Sequence, residues 1–438
     1  MLKKKSAKLL SFDAFAKTEE EVRIRTNTGG IITISCILVT LYLLLNEWSQ
    51  FNSVITSPQL VVDRDRNLKL ELNLDISFPN ISCDLINLDI MDESGELQLD
   101  LLDSTFIKTR LDPQGNPLDN DNNVADTDAD LVIGVDDLTK NGEKRLKEIL
   151  AKDPDYCGSC YGSQDQTENE SKSKDQKICC QTCNDVRDSY LNAGWAFFDG
   201  AQIEQCENEG YVAKINKHLE EGCRIKGQAL LNRIQGNIHF APGKSYSNYK
   251  AKGSTHRHDT SLYDKVKKMN FNHIIHHLSF GKSIDKVGKN DLKDYSDRKK
   301  FSINPLDDRK VIVKDFNPAF HQFSYYTKIV PTRYEFLDEK ISSIETAQFS
   351  ATYHSRPIQG GTDEDHPTTF HSRGGIPGLF FFFEMSPIKV INKEHHFRTW
   401  SSFLLNCITS IGSVLAVGTV FDKIFYRAQK TLKAKKSK

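Results

Sequence analysis

The chain contains 438 residues, which is enough for two or three domains, and its formal net charge at pH 7 is −1. Hydrophobic residues make up 38% and charged residues 27%, values that are ordinary for a soluble protein. The basic residues concentrate near the two termini, and this distribution argues against a nucleic-acid-binding protein.

A long uncharged segment follows a polar N-terminal tail. It spans residues 26–46, TNTGGIITISCILVTLYLLLN, and ends at Glu47. Because a helix rises about 1.5 Å per residue, about 20 residues match a hydrocarbon core of about 30 Å. Trp48 follows, where an amphipathic ring favours the membrane interface. No small-residue cleavage site follows the segment, so the sequence predicts a retained transmembrane helix rather than a removed signal peptide.

The next part of the chain has the alternating pattern of β-strands. Between residues 68 and 76, leucine and isoleucine alternate with polar residues, which predicts a half-buried strand. Residues 85–90 and 96–102 predict two further strands. Residues 112–137 then form an acidic, asparagine-rich loop, which we expect to be solvated.

Eight of the ten cysteines lie between the first uncharged segment and a second one near the C-terminus. An even number of cysteines in an oxidising compartment predicts disulfides. The spacings Cys157-x-x-Cys160 and Cys180-x-x-Cys183 also match zinc-ribbon sites and redox-active pairs. We favour a disulfide-knit insertion at 157–223, with zinc and redox chemistry as alternatives, and the sequence leaves the pairing open. The disulfide candidates are Cys83, Cys157, Cys160, Cys179, Cys180, Cys183, Cys206 and Cys223.

An aromatic run and two glycosylation sequons are further candidate sites. The run NAGWAFFDG places Trp195, Phe197 and Phe198 either on an exposed surface that contacts cargo or in the core of the subdomain. Asn80 and Asn169 begin Asn-x-Ser sequons and are glycosylation candidates. The role of the polar insert at 163–177 is not indicated by its sequence.

The strand pattern returns from residue 236 onward. We interpret the strands on both sides of the cysteine block as one mainly-β, β-sandwich-like domain. The run GLFFFFEMSPIKVI, residues 378–391, predicts a buried strand rather than a third span. Its apolar stretch has only five residues before Glu384, whereas a transmembrane helix needs about 20.

All thirteen histidines lie between residues 218 and 396. Imidazole titrates near pH 6.5, so a group of histidines predicts that the charge of the domain and its affinity for cargo change between about pH 7 and pH 6. The alternative is that these histidines are ordinary surface residues. The histidines predict no metal site, because no His-Glu-x-x-His motif occurs and strand alternation turns His273 and His277 away from His276. Catalytic and cofactor motifs are also missing, which predicts neither an enzyme nor a cofactor. The pH-sensing candidates are His256, His258, His273, His276 and His277.

A second uncharged segment, residues 399–421, predicts another transmembrane helix and places both termini on one side of the membrane. Basic residues outnumber acidic ones in both tails, seven against four in residues 1–25 and seven against one in residues 422–438. By the positive-inside rule, both tails are cytosolic and residues 47–398 are lumenal.

The second span also contains a small-residue pattern. Gly412-x-x-x-Ala416 predicts a face that another helix can approach, and Asn406 offers a hydrogen bond across such a contact.

The C-terminal tail carries two candidate sorting signals. A dilysine at positions −3 and −4 is the arrangement that the COPI coat reads for retrieval, and such signals are addresses read by a receptor. An aromatic pair nearer the membrane is of the type that COPII cargo adaptors read. An entry and a return signal on one tail predict cycling between endoplasmic reticulum (ER) and Golgi. The signal residues are Phe425, Tyr426, Lys435 and Lys436.

Several sequence blocks together resemble the ER–Golgi intermediate compartment (ERGIC) protein family. They are FDAFAKTEEEVRIRTNTGG before the first span, HFAPGKS, HHLSFG, NPLD and YYTKIVPT in the β region, and PGLFFFFEMSPIKV before the second span. The resemblance runs nearly end to end, and the cysteine block matches the larger, cysteine-rich member. It implies a lumenal β-sandwich, a hetero-oligomer with a smaller paralogue, carriage in COPII and COPI vesicles, and retrieval of escaped ER residents that lack the usual retention sequence.

The sequence therefore favours a non-enzymatic cargo receptor of the ER membrane, the intermediate compartment, the Golgi membrane and COPII vesicles. Its expected partners are the smaller paralogue, COPII and COPI coat subunits, lumenal ER-resident proteins and membrane lipid, with no nucleic acid. Two alternatives remain, a lumenal thiol or metal enzyme held by two spans and a two-span channel.

Overall fold

The computed structural model describes residues 27–64, 69–94, 97–98, 106–118, 136–172, 176–248, 255–266, 268–282, 304–313, 317–337, 343–362 and 367–436. The N-terminal tail and most of the acidic loop fall outside these ranges. The chain divides into two compact units. One is a membrane unit, formed by Met1–Ser57 and Lys393–Lys438, and the other is a β domain, Pro58–Asn392.

The first half of the chain places a long helix and a set of strands before the cysteine-rich insertion, which is helical. In chain order its elements are α1 (Asn27–Asn52), β1 (Val54–Val62), β2 (Leu70–Phe78), β3 (Ile86–Asp92), β4 (Leu97–Gln98), β5 (Phe106–Leu111), α2 (Asp136–Lys152), α3 (Cys183–Ala193), α4 (Glu204–Asn208) and α5 (Tyr211–His218).

The second half is mostly strands and closes with a long helix. Its elements are β6 (Gly222–Leu231), β7 (Gly236–Pro242), β8 (Ser245–Asn248), β9 (Thr255–His258), α6 (Ser261–Lys265), β10 (His273–Phe280), β11 (Arg309–Val311), β12 (His321–Glu335), β13 (Ile344–Pro357), β14 (Gly378–Met385), β15 (Ile388–His396) and α7 (Trp400–Lys436).

The β domain is built on two sheets that share one core. The larger has the order β1-β15-β12-β14-β7-β3-β4 with β13 paired to β12, and the smaller has the order β11-β10-β2-β6-β5. Side chains from the two sheets meet between them, as Phe78 of β2 does with Phe240 of β7, at a ring-centre distance of 5.2 Å. The prediction of a mainly-β, sandwich-like domain with a disulfide-bonded insertion is confirmed.

Strand β2 differs from its prediction, because both of its faces are buried. Asn73 and Asp75 lie on the face that was expected to be solvated, and each is only 7% exposed. Arg224 on β6 donates two hydrogen bonds to Asp75, at 2.7 and 2.8 Å, and Asn73 donates one to the carbonyl of Gly281. The polar positions therefore mark a face covered by partners on other strands and loops.

The phenylalanine run forms a buried strand, as predicted, but the predicted strand over 378–391 divides into β14, which ends at Met385, and β15, which begins at Ile388. β14 pairs in parallel with β12 on one side and antiparallel with β7 on the other. Phe381 and Phe383 are almost fully buried in the core.

The membrane unit contains two helices that are long and apolar enough to cross a membrane. The apolar segments are Gly29–Asn52 and Trp400–Ala428. Both helices continue beyond the predicted limits of 26–46 and 399–421.

Contacts between α1 and α7 explain why a charged residue lies inside α1 and why a glycine occurs at position 418. Glu47 lies inside α1, where its carboxylate accepts a hydrogen bond from Asn406 Nδ2 at 3.4 Å and lies 3.6 Å from Arg398. A Cβ at Gly418 would come within 2.6 Å of Cys36 Sγ, so this glycine permits the close approach of the two helices. The small-residue face at Gly412 is not used in this contact, since a Cβ there would meet no atom within 4 Å.

Candidate functional site

Four disulfides hold the cysteine-rich insertion and join it to the sheets. Cys83 follows β2, and its partner Cys223 lies on β6, so this bond joins the C-terminal end of the insertion to the segment after β2. The prediction of disulfides is confirmed, and the structure adds the pairing that the sequence left open. The pairs are Cys83–Cys223, Cys157–Cys179, Cys160–Cys180 and Cys183–Cys206.

The Cys-x-x-Cys spacing has a structural rather than a redox explanation. Cys157 and Cys160 each bond to a cysteine of the adjacent pair at 179 and 180, and not to each other. A redox-active motif would join its own two cysteines, and a zinc ribbon would leave all four as thiolates. Neither arrangement is present at these positions.

Helix α3 positions the aromatic run that follows it. It begins at a capping box, in which Thr182 and Asp185 bond each other's backbone, and it ends at Gly194 with a φ of 75°. Trp195 then donates its backbone N–H to the carbonyl of Tyr190, and its ring lies edge-on to the Tyr190 ring at 5.6 Å. The turn therefore fixes the direction in which the aromatic run leaves the helix.

The three candidate cargo contacts separate into two groups. Trp195 and Phe198 are each 47% exposed, whereas Phe197 is 4% exposed and packs in the core against Tyr190 and Tyr211. The expectation that Phe197 contacts cargo is corrected, because its ring fills the subdomain core. Phe198 is presented by a left-handed backbone conformation, with a φ of 56°.

Trp195 and Phe198 border an open cleft of about 370 Å³. The backbone N–H of Phe198 donates to Ser261 Oγ at 2.9 Å, which fastens the aromatic turn to α6. The lining also includes Tyr246 of β8 and two acidic residues, Asp259 and Asp264. The cleft thus combines aromatic faces with acidic groups, and Lys and Arg are absent from its described lining.

His273 is fully buried between the sheets. Its Nδ1 donates to the carbonyl of Phe271 at 2.9 Å, so its Nε2 is the acceptor for the Tyr325 hydroxyl at 2.9 Å. Burial lowers the pKa of His273 to about 4, and the nearby charge of Arg309 acts in the same direction. This histidine therefore remains neutral between pH 7 and pH 6.

His276 and His277 are placed by an irregularity in β10. The register with β2 shifts between Ile275 and His277, and as a result Ile275 and Leu278 both face the core. Both histidines are therefore half-buried on the outer side, where simple alternation had separated them. His276 bonds Ser77 Oγ at 2.8 Å, and His277 pairs with Asp307 at 3.1 Å.

The remaining two candidates belong to a compact group, here called the histidine–aspartate cluster. Strand alternation puts two histidines on one face of β9, and the cluster adds a histidine from β7 and the aspartate directly opposite it on β3. The four ligand atoms lie within 4.8 Å of one another. Burial lowers the pKa of His239 to about 3, and the adjacent imidazole of His258 acts in the same direction. The carboxylate of Asp89 has the opposite, smaller effect. The members of the cluster are Asp89, His239, His256 and His258.

The sequence indicates only half of this cluster. The His-x-His pattern at 256 and 258 was a usable signal, since residues two apart on a strand share a face. Nothing local links it to His239 or to Asp89, because their meeting depends on the register of β3 against β7. The expectation that the histidines hold no metal considered only neighbours in sequence, and the structure brings together residues that could hold one.

The sorting and glycosylation candidates lie elsewhere. Phe425 and Tyr426 are exposed on α7, and the side chains of Lys435 and Lys436 fall outside the described residues. Asn80 donates to Asn270 Oδ1 at 3.0 Å. Asn169 exchanges hydrogen bonds with the backbone of Ile178, which orders part of the polar insert. Both sequons remain predictions.

Comparison with known proteins agrees with the proposed resemblance. The family described as "Endoplasmic reticulum vesicle transporter" matches residues 160–422, and the family "Endoplasmic Reticulum-Golgi Intermediate Compartment (ERGIC)" matches residues 9–99. The ER-derived vesicles protein ERV46 of Saccharomyces cerevisiae is 61% identical over 99% of this chain and 100% of its own length. The probable ERGIC protein 3 of Dictyostelium discoideum is 33% identical over 98% and 97%, respectively. The crystal structure of Erv41p covers 77% of this chain and 99% of its own, with a TM-score of 0.37 and 17% identity. The chain therefore belongs to the ERGIC family of endoplasmic reticulum vesicle transporters.

Proposed function

We propose that the protein is a non-enzymatic cargo receptor that cycles between ER and Golgi. The β domain is its lumenal, cargo-binding part, and the tails at 1–25 and 422–438 are cytosolic. Membership of a vesicle-transporter family supports a role in ER–Golgi traffic. The main support for cargo binding is the exposed aromatic pair, Trp195 and Phe198, on a disulfide-bonded scaffold.

The chemistry of the cleft indicates what it binds. Exposed aromatic rings on a rigid support are typical anchors of protein interfaces, because little conformational entropy is lost when they are covered. The carboxylates of Asp259 and Asp264 favour a basic neighbour beside the apolar contact. The cargo is therefore an ER-resident protein that presents an apolar side chain next to lysine or arginine.

The disulfide pairing opposes the alternative of a thiol enzyme. A thiol–disulfide catalyst needs an accessible thiolate and a resolving cysteine close by. In the described insertion, the cysteines are paired with partners that cross-link separate segments, and Cys160 and Cys206 are fully buried. These bonds are suited to holding the cleft wall in place.

Transport in vesicles requires contacts on the cytosolic side. Phe425 and Tyr426 are exposed on the continuous helix α7, and this exposure supports their recognition by COPII adaptors. Lys435 and Lys436 supply the COPI retrieval signal. The open face at Gly412 supports docking of the smaller paralogue within the membrane.

The retrieval signal is tested by substituting Lys435→Ser and Lys436→Ser together. The double variant should shift from ER and intermediate-compartment fractions to later Golgi fractions. Lys430→Ser with Lys433→Ser is the matched control, because it removes the same charge from the same tail. An unchanged distribution of the first variant, or an equal shift of both, would count against retrieval through the dilysine.

A further inference from the structure

The histidine–aspartate cluster brings four potential metal ligands together. We propose that it binds one zinc ion, which fastens the β8–β9 hairpin to the larger sheet. The hairpin forms its own two-stranded sheet, and an isolated hairpin of four residues per strand has little stability in water. A metal bridge from β9 to β3 and β7 adds a strong attachment to the hydrogen bond that Ser245 of β8 already makes with Asp89 of β3.

The spacing of the ligand atoms matches tetrahedral zinc. The three imidazole Nε2 atoms are 2.9, 3.1 and 3.2 Å apart. Asp89 Oδ2 lies 3.2, 3.3 and 3.8 Å from the same three atoms. Zinc with tetrahedral ligands at about 2.0–2.1 Å requires ligand atoms about 3.3 Å apart, and the observed distances bracket that value.

Hydrogen bonding among the imidazoles does not explain this arrangement. Each Nε2 either carries a proton and donates, or carries a lone pair and accepts. Among three atoms with two possible roles, at least two have the same role, and that pair is held at about 3 Å with no bond between them. A cation that accepts a lone pair from every nitrogen removes this conflict.

The groups around the cluster direct lone pairs to its centre. His258 Nδ1 donates to the carbonyl of Gly243 at 3.4 Å, which leaves its Nε2 as an acceptor. His239 Nδ1 lies 2.8 Å from Asn237 Oδ1, and Ser245 donates to the other carboxylate oxygen of Asp89 at 3.2 Å. Such second-layer bonds fix the tautomer and orientation of metal ligands.

The donor set and its shape select zinc. Three imidazoles and one carboxylate suit zinc or copper better than calcium or magnesium, which prefer oxygen ligands. In a square-planar copper site, the two diagonals that join opposite ligand atoms are both longer than the edges. Here the longest distance is 3.8 Å, between His239 Nε2 and Asp89 Oδ2, but the remaining two ligand atoms, on His256 and His258, are only 2.9 Å apart. The arrangement is therefore not square. All four positions are occupied by protein, so the site is structural and not catalytic.

The test measures zinc in the full-length protein, purified in detergent without a polyhistidine tag. Plasma mass spectrometry after dialysis against trace zinc should give one zinc per chain. His256→Ala removes the most exposed ligand, 11% accessible, and should weaken zinc binding by at least about 100-fold, since even outer-layer changes cost 10- to 100-fold. His354→Ala, an exposed histidine on β13, is the matched control and should bind as the wild type does.

A second readout separates zinc binding from simple loss of packing. Dipicolinate should lower the thermal midpoint of the wild type and of His354→Ala, and leave His256→Ala unchanged. Cobalt added in place of zinc should give the intense visible absorption of a tetrahedral site in the wild type and in His354→Ala, and not in His256→Ala. A folded wild type without stoichiometric zinc, or equal zinc in His256→Ala and the wild type, would overturn the proposal.

Discussion

The aromatic pair Trp195 and Phe198 gives the most direct test of the proposed cargo cleft. Each ring is 47% exposed, so a partner that covers both buries about 120 Å² on the tryptophan and about 90 Å² on the phenylalanine, for whole side chains of about 250 and 200 Å². At about 25 cal/mol per Å², this burial contributes about 5 kcal/mol to binding. If the partner covers only half of this area, removing both rings weakens binding by about 80-fold.

The variant is Trp195→Ser with Phe198→Asn. Asparagine is chosen because position 198 has a φ of 56°, a region that asparagine tolerates better than most residues. In cells that carry only this variant, we expect more ER-resident protein in the medium by quantitative mass spectrometry and less lumenal protein crosslinked to the receptor. Receptor abundance and distribution should stay at wild-type values.

Phe370→Ser is the control, because Phe370 is 73% exposed and is not among the residues that line the cleft. It should leave secretion and crosslinking unchanged. The reasoning is refuted if the double variant, at normal abundance, secretes and crosslinks as the wild type does.

Three further predictions concern stability and assembly. Substituting Cys83 and Cys223 by Ala opens a loop with a sequence separation of 140 residues, and the chain-entropy model gives a loss of about 5 kcal/mol, read as a fall in thermal midpoint. Burial holds the pKa of His273 at about 4, so between pH 6.5 and pH 4 the unfolded chain takes up a proton that the folded domain does not. The stability from this histidine is complete above pH 6.5 and falls by about 3 kcal/mol by about pH 4, and His273→Gln should remove that part of the pH dependence of the midpoint. Gly412→Leu fills the open face of α7 and should reduce co-purification of the smaller paralogue without changing the midpoint.

Each of these has a matched control. Cys36→Ala with Cys407→Ala removes two cysteines that form no disulfide and should leave the midpoint near wild type. His354→Gln should retain the acid dependence that His273→Gln loses. Gly30→Leu adds the same side chain at an open position of α1 and should preserve the complex. If a control and its test variant behave alike, the corresponding argument is wrong.

The sequence by itself determined the two membrane helices, the mainly-β domain, the disulfide chemistry and the family. Local patterns, such as uncharged runs and period-two alternation, predict these properties, and such patterns do not depend on distant residues. Helix α1 continues past its predicted end because Arg398 and Asn406 compensate the charge of Glu47. The same cause buried the polar face of β2.

Only the tertiary structure decided which of these residues form sites. Phe197 points into the core, whereas Trp195 and Phe198 point outward. These directions depend on the turn after α3 and on the subdomain core that Phe197 fills. A bulge in β10 reversed the facing expected for His277. Asp89 and His239 are partners because β3 and β7 pair in one register, and a shift by one residue would turn Asp89 to the opposite face. Register is a property of the assembled sheet, and the sequence around either residue does not contain it.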